Sequence, residues 1–277
     1  MKKRFSFPLI FLVGIVASLL LPTHAHAQNN NYFIEEHAHA KPSKKDTNVL
    51  LKQIQTENRS VDSVTQNVGL YVVTASGEEE NYFSQAATIE LLFGNNQTIQ
   101  GAYLYSEYDE NDQFRYEETF LPSNKKAVWT RSSENEDWVD LLKDSLEQED
   151  YYANPNYHLL FETIMGMADK LKFYEDETSY LLFNDNQTLN LFDKFQPHYS
   201  LSISGLDSDD LITDILVTFD KETLLLQEFN LLSYYEGDEG YVEFNVLSYM
   251  DRWNEFSNED FFMESEDDLE NLDELTI

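Results

Sequence analysis

The sequence predicts an α+β fold built on an antiparallel sheet, and three observations carry that expectation. Segments of β type separated by polar turns run from Ser63 to Thr130, a stretch of helical period interrupts them, and long strand-like segments resume from Leu211 to Tyr249. Short, turn-rich connections of this kind join strands that neighbour each other in antiparallel sheets. The chain has 277 residues and an aromatic content of 14%. That is enough to bury a substantial core in one domain, and it argues against disorder throughout.

In chain order, the first element is a leader. Lys2, Lys3 and Arg4 precede an apolar run from Phe5 to Leu21, then Pro22 and the small-residue pattern Ala25-His26-Ala27. A basic start, an apolar middle and small residues at a cleavage site describe a secretory signal peptide over residues 1–27, cut after Ala27. Ser6, Pro8 and Ser18 interrupt the apolar run, which falls short of the roughly 20 residues that cross a bilayer. Residues 28–45 are polar and contain Pro42 and three lysines, so they read as a flexible lead-in. From residue 46 a helix is expected, with Asp46 or Thr47 as its N-cap and Val49, Leu50 and Ile54 at helical spacing.

Strands are expected at Ser63–Ala75, Ala87–Phe93, Thr98–Tyr108, Phe114–Leu121 and Lys126–Thr130. Gly94-Asn95-Asn96 and Asp109-Glu110-Asn111-Asp112 supply turns. Ile89, Leu91 and Phe93 alternate with polar or outward positions, as do Phe114, Tyr116 and Phe120 against Arg115, Glu117 and Thr119, which gives a meander with an apolar face. The period then changes. Trp138, Leu141, Leu142 and Leu146 suggest a helix over Asp137–Glu147, and Leu159, Leu160, Ile164, Met167, Ala168 and Leu171 one over Asn156–Tyr174.

A short strand at Tyr180–Phe183 and a helix at Gln187–Phe195 complete the insert. Strands follow at Leu211–Phe219, Leu224–Tyr234 and Tyr241–Tyr249. Residues 46–258 are thus expected to form a single domain. Beyond Asn258 lie nine acidic and no basic residues, which read as a solvated acidic tail over 259–277.

Charge and composition exclude several classes of function. The formal net charge is −34, and loss of Lys2, Lys3 and Arg4 with the leader makes it more negative still. Such a surface repels phosphate backbones and anionic headgroups, so nucleic acid is excluded as a partner. There is no cysteine, hence no disulfide framework, no thiolate metal site and no lipid-modified cysteine after the leader. After signal cleavage no integral membrane segment is expected.

This order of elements resembles the LolA/LppX-like superfamily of exported lipoprotein and lipid carriers, in particular its uncharacterised Gram-positive branch. The specific residues are Asn245-Val246-Leu247-Ser248-Tyr249-Met250-Asp251-Arg252-Trp253-Asn254-Glu255-Phe256. They are similar to the aromatic-aspartate-aromatic-asparagine ending of the branch's closing strand. The resemblance implies a curved antiparallel sheet, a half-closed β-barrel, with helices packed on its concave side and a hydrophobic cavity between them.

Under that implication, Phe93, Tyr116, Phe120, Phe219, Phe229 and Phe244 line the cavity from the sheet, and Leu160, Ile164 and Met167 line it from the helical side. A ligand's acyl chain would there displace water at roughly 0.8 kcal/mol per methylene. Set beside this is the simpler reading that these residues fill a packed core.

Chemistry of other kinds finds little support. Carboxylates are too abundant for any pair to single itself out as a catalytic acid and base. Asp109-x-Asn111-x-Gln113 has the start of a calcium loop, but Phe120 stands at the twelfth place, where a bidentate glutamate belongs. His37 and His39 could hold a transition metal with a carboxylate, yet no third ligand lies at a recognisable spacing. No cofactor and no metal site is expected, and no catalytic residue can be named. The reading is a secreted, non-enzymatic protein that binds a hydrophobic or amphiphilic ligand at the cell envelope. The alternative is an acidic extracellular module that contacts a basic partner or the cell wall without a lipid cavity.

Overall fold

The computed structural model describes residues 32–33, 37, 39–76, 79–133, 136–141, 154–185, 189–203, 205–237 and 240–272. The leader and its cleavage site lie outside the described residues, as does most of the helix expected over Asp137–Glu147.

Twelve strands form one antiparallel sheet: β1 (Lys41–Pro42), β2 (Ser63–Ser76), β3 (Glu79–Phe93), β4 (Ile99–Glu110), β5 (Gln113–Leu121), β6 (Trp129–Arg131), β7 (Val139–Asp140), β8 (Lys172–Glu175), β9 (Ser179–Phe183), β10 (Ile212–Asp220), β11 (Leu226–Gly237) and β12 (Gly240–Asp251). The helices are α1 (Thr47–Arg59), α2 (Tyr157–Met165) and α3 (Phe192–Phe195). The order across the sheet is β1-β8-β9-β10-β11-β12-β2-β3-β4-β5-β6-β7. The last strand therefore lies beside the first long one, with Tyr241 opposite Ala75 and Asp251 opposite Thr65. The sheet is curved and unclosed, as the α+β half-barrel requires.

The curvature follows from what α2 touches. His158 packs on Phe93 of β3 with ring centroids 4.4 Å apart, and Phe161 packs edge-on against Phe219 of β10 at 6.4 Å. Those strands are four places apart in the order, which in a flat sheet would be about 19 Å at the usual strand spacing. A helix with its side chains is only about 10–12 Å across. The sheet must wrap around it.

Local sequence explains the ends of the elements. The Asp46 side chain accepts from the amides of Asn48 and Val49 (3.0 and 3.3 Å), so Asp46 is the N-cap of α1. Asn156 caps α2 in the same way, accepting from His158 and Leu159. Helix α2 ends at Gly166, short of the expected Tyr174. A 3-10 turn follows at Ala168–Lys170, and Lys172–Glu175 is drawn into the sheet between β1 and β9. Val139–Asp140, expected as helix, pairs with β6. The hairpin between β4 and β5 turns through Asn111 and Asp112, both at positive φ (50° and 67°), the conformation of a tight two-residue loop. Of the candidate calcium-loop residues, Asp109 and Asn111 serve this turn together with Asp112, all three bonded to the backbone or hydroxyl of Tyr82.

Asn58, fully buried in the last turn of α1, joins three elements. Its Nδ2 donates to the carbonyls of Ile54 (2.7 Å) and Leu224 (2.8 Å), while Oδ1 accepts from the Tyr157 hydroxyl (2.6 Å) and the Leu226 amide (2.7 Å). Leu224 sits at a φ of 63°, a conformation that a β-carbon disfavours. Asn58 thus holds the β10–β11 turn in place and ties it to the first residue of α2.

Both faces of the sheet carry apolar clusters. The inner face packs against α1, α2 and α3 in the main core. At one end of the outer face, Leu92, Tyr103, Phe120 and Trp129 are covered by Phe261, Met263, Leu269 and Leu272. The segment expected to be a solvated acidic tail is therefore folded down as far as Leu272. Asn124 clamps it by donating to the Met263 carbonyl (2.8 Å) and accepting from the Met263 amide (3.1 Å). A Cβ on Gly101 would stand 2.7 Å from that of Phe261, so the close approach needs glycine.

At the other end, Phe33 packs with Leu181, Phe183, Leu216 and Leu232, and Lys41–Pro42 pairs with β8. Within the expected flexible lead-in, Lys41–Pro42 is thus a strand of the sheet and Phe33 packs on it.

Replacing Asn58 with alanine strands a buried hydroxyl, an amide and two carbonyls, and should lower the unfolding free energy by roughly 3 kcal/mol or more, measurable by urea denaturation. By the same measurement Phe261→Ala should lose about 3–5 kcal/mol.

Candidate functional site

The inner face gathers most of the residues expected to line a cavity. Phe93, Leu160, Ile164, Met167, Phe219 and Phe229 belong to one apolar cluster. Phe244 lies beside it, its ring 4.9 Å from that of Phe192, and Val72 and Leu201 touch both groups. Phe195 and Tyr199 extend the aromatic surface, packing on Phe229 at 4.6 and 5.9 Å.

Tyr116 and Phe120 are elsewhere. They share the outer face with Tyr105 and Trp129, and Phe120 lies beneath the C-terminal segment. The alternation expected in β5 is present, but it turns Tyr116 and Phe120 to the outer face rather than the inner one. Leu121 is the residue of that strand in the inner core, and because the outer face is also covered at this end, both sets of positions there are apolar.

Leu160, Ile164, Phe219 and Phe229 have no surface accessible to water, internal or external. Side chains surround them on every side, so at these positions the inner face is a packed core.

Polar groups on this face concentrate at the start of α2. Gln66 donates to the Pro155 carbonyl (2.6 Å), but its Oε1 is buried without a hydrogen-bond partner. His158 contacts the Val61 carbonyl through Nε2 (3.0 Å), which places the ring proton there. Its Nδ1 is then a buried acceptor with no partner. Burial holds the His158 imidazole below its ordinary pKa, as it does for His198, whose Nε2 meets the Thr163 hydroxyl at 2.9 Å. Both are neutral at physiological pH. Helix α2 is joined to α1 at the surface by Arg59, which pairs with Glu162 at 2.7 Å.

Two buried carboxylates that the sequence did not single out lie on the outer face. Glu118 meets Arg131 through two guanidinium nitrogens at 2.8–3.1 Å, and Arg131 stacks over Trp138. Glu90 takes a 3.0 Å bond from Arg252, but burial dominates and pushes its carboxyl up to about 7. A glutamate set within Ile89-Glu90-Leu91-Leu92 was the available signal. Its arginine partner, and its place where the chain turns into the C-terminal segment, give it a structural setting. A separate cleft of about 480 Å³ opens between Thr98–Gln100 and Leu121–Ala127; Ser123, Asn124 and Lys125 on its wall also bond to the C-terminal segment.

No family model and no curated protein sequence matches the chain. Among solved structures it is similar to LprF from Mycobacterium bovis (11% identity, TM-score 0.35, covering 78% of this chain and 96% of that one). It is similar also to a domain from Vibrio parahaemolyticus provisionally assigned to outer-membrane lipoprotein sorting (8%, 0.24, 76% and 95%). A third is a LolA superfamily protein from Nitrosomonas europaea (8%, 0.19, 78% and 97%). Among the described residues no helix is long and apolar enough to cross a membrane.

Glu90 generates a prediction with a definite sign. Its folded pKa lies above the ordinary 4.5, so between about pH 4.5 and 7 the unfolded chain has released a proton that the folded chain retains. The stability contributed by this group is therefore fully present below that window and is lost as pH rises through it. Glu90→Gln should flatten the fall in urea-derived stability across the window, which is on the order of 3 kcal/mol.

Proposed function

We propose that this chain is an exported, non-catalytic protein that binds a hydrophobic or amphiphilic ligand, a lipid or lipoprotein-like molecule, between the inner face of its sheet and α2. The leader over residues 1–27 supports export to the cell envelope, with cleavage after Ala27. The observation that carries the reading is the inner face itself. It is apolar and aromatic from β3 to β10, and its roof is a helix of only nine residues.

Acyl chains bind by replacing side-chain contacts. When α2 lifts, Leu160, Ile164 and Met167 leave the aromatic surface of Phe219 and Phe229, and an alkyl chain recovers the lost burial at roughly 0.8 kcal/mol per methylene. The unpartnered acceptors Gln66 Oε1 and His158 Nδ1 suit a ligand with a hydroxyl or amide donor near its apolar part, the usual make-up of a small-molecule site.

The chain has no cysteine, so a covalent test of α2 as the roof can be built cleanly. Delipidated protein should take up a fluorescent fatty-acid probe saturably. An Arg59→Cys/Glu162→Cys variant should do the same until a short bismaleimide joins α1 to α2, after which uptake should be lost. Absence of saturable uptake by the unmodified protein would sink the proposal; undiminished uptake by the joined protein would overturn entry beneath α2.

A further inference from the structure

We propose that His37, His39 and Asp176 form a site for one divalent transition-metal ion of the zinc type, which staples the N-terminal segment to the turn between β8 and β9. One ligand atom from each residue lies within 4.8 Å of the other two. Tetrahedral zinc with bonds of 2.0–2.1 Å needs its ligand atoms about 3.4 Å apart, so the three atoms have at most about 1.4 Å to close. Two imidazoles and a carboxylate suit zinc and its neighbours rather than calcium or magnesium, which prefer oxygen throughout.

The carboxylate is already oriented. Asp176 Oδ1 accepts from the amides of Thr178 (2.9 Å) and Ser179 (2.7 Å), which fixes the side chain in an Asx turn and leaves Oδ2 facing His39 Nε2 at 3.6 Å. Supporting hydrogen bonds of this kind hold a ligand in place before the ion arrives. Those amide bonds also hold the Asp176 carboxyl below its usual range, although partial burial opposes them.

His37 supplies the independent observation. Its Nδ1 is buried with no hydrogen-bond partner, a demand that the protein does not meet by itself. The ring packs against Phe183 at 6.0 Å, which limits its motion. Lys221, beside the turn, is engaged by the Asp176 backbone carbonyl and by Glu175 (3.4 Å). The His39 side chain is 66% exposed, which gives the ion a path from solvent and leaves a fourth position for water.

The sequence could offer only the two histidines. Asp176 reaches them because β1 pairs with β8, setting Lys41 opposite Glu175.

Tag-free protein purified after export should be titrated with zinc chloride by calorimetry, in about 5 mM calcium to occupy the weak sites of an acidic surface. One zinc per chain should bind despite the calcium. Asp176→Asn, which keeps the Oδ1 acceptor of the turn, and exposed His39→Ala should each weaken binding roughly tenfold or more, with unchanged urea midpoints in the absence of metal. Zinc should also slow hydrogen exchange of the Ser43 amide, which bonds to the Phe173 carbonyl at 3.1 Å. Failure to find a calcium-insensitive zinc equivalent, or equal zinc binding by wild type and both variants, would overturn the site.

Discussion

The four hydrogen bonds of Asn58 are the constraint on which the inner half of the structure depends. An amide side chain can donate two bonds and accept two at its oxygen, and all of these are used, each on a different backbone or side-chain group. Through them α1 is closed, the β10–β11 turn is held at Leu224, β11 begins at Leu226, and Tyr157 anchors the first turn of α2. Apolar packing alone would let these pieces slide, because the hydrophobic effect has no direction. The directional bonds fix where α2 sits over Phe93 and Phe219, and so fix the bend of the sheet.

The outer face shows how a curved sheet is finished when the helices occupy only one side. Its two ends carry apolar patches, and each is covered by a terminal segment: residues 261–272 over Tyr103 and Phe120, and the region of Phe33 over Leu181 and Phe183. Between them β2 and β12 present Asn67, Tyr71, Glu243 and Asn245, a surface water can cover. At Glu118 the buried charge on this face is matched by Arg131, since a lone buried ion would be costly.

Much of the fold was legible because its signals are local. Asp46 as a cap, the Asn111-Asp112 turn, and the strands from Leu211 to Tyr249 are stated by nearby residues. The sequence was silent where the environment is set from afar. Strand β3 begins at Glu79, eight residues before its apolar alternation starts at Ala87, because its first half is only half-buried and tolerates Asn81, Ser84 and Gln85. Lys172–Glu175 carries a helical period but is claimed by β1 and β9. Tyr116 and Phe120 were placed on the inner face because nothing local reveals that distant Phe261 covers the outer one. Of the candidate inner surface, the residues of β3, α2, β10, β11 and β12 were found, since those elements are buried on a single side or throughout.

The position of β12 between β11 and β2 has a consequence for when the molecule can fold. Strand β2 leaves one long edge without its partner until residues 240–251 are present, and such an edge invites pairing with other chains. Contacts that span most of the sequence also close slowly. A chain threaded through a membrane from its N-terminus would release β12 last, so the sheet could be completed only on the far side.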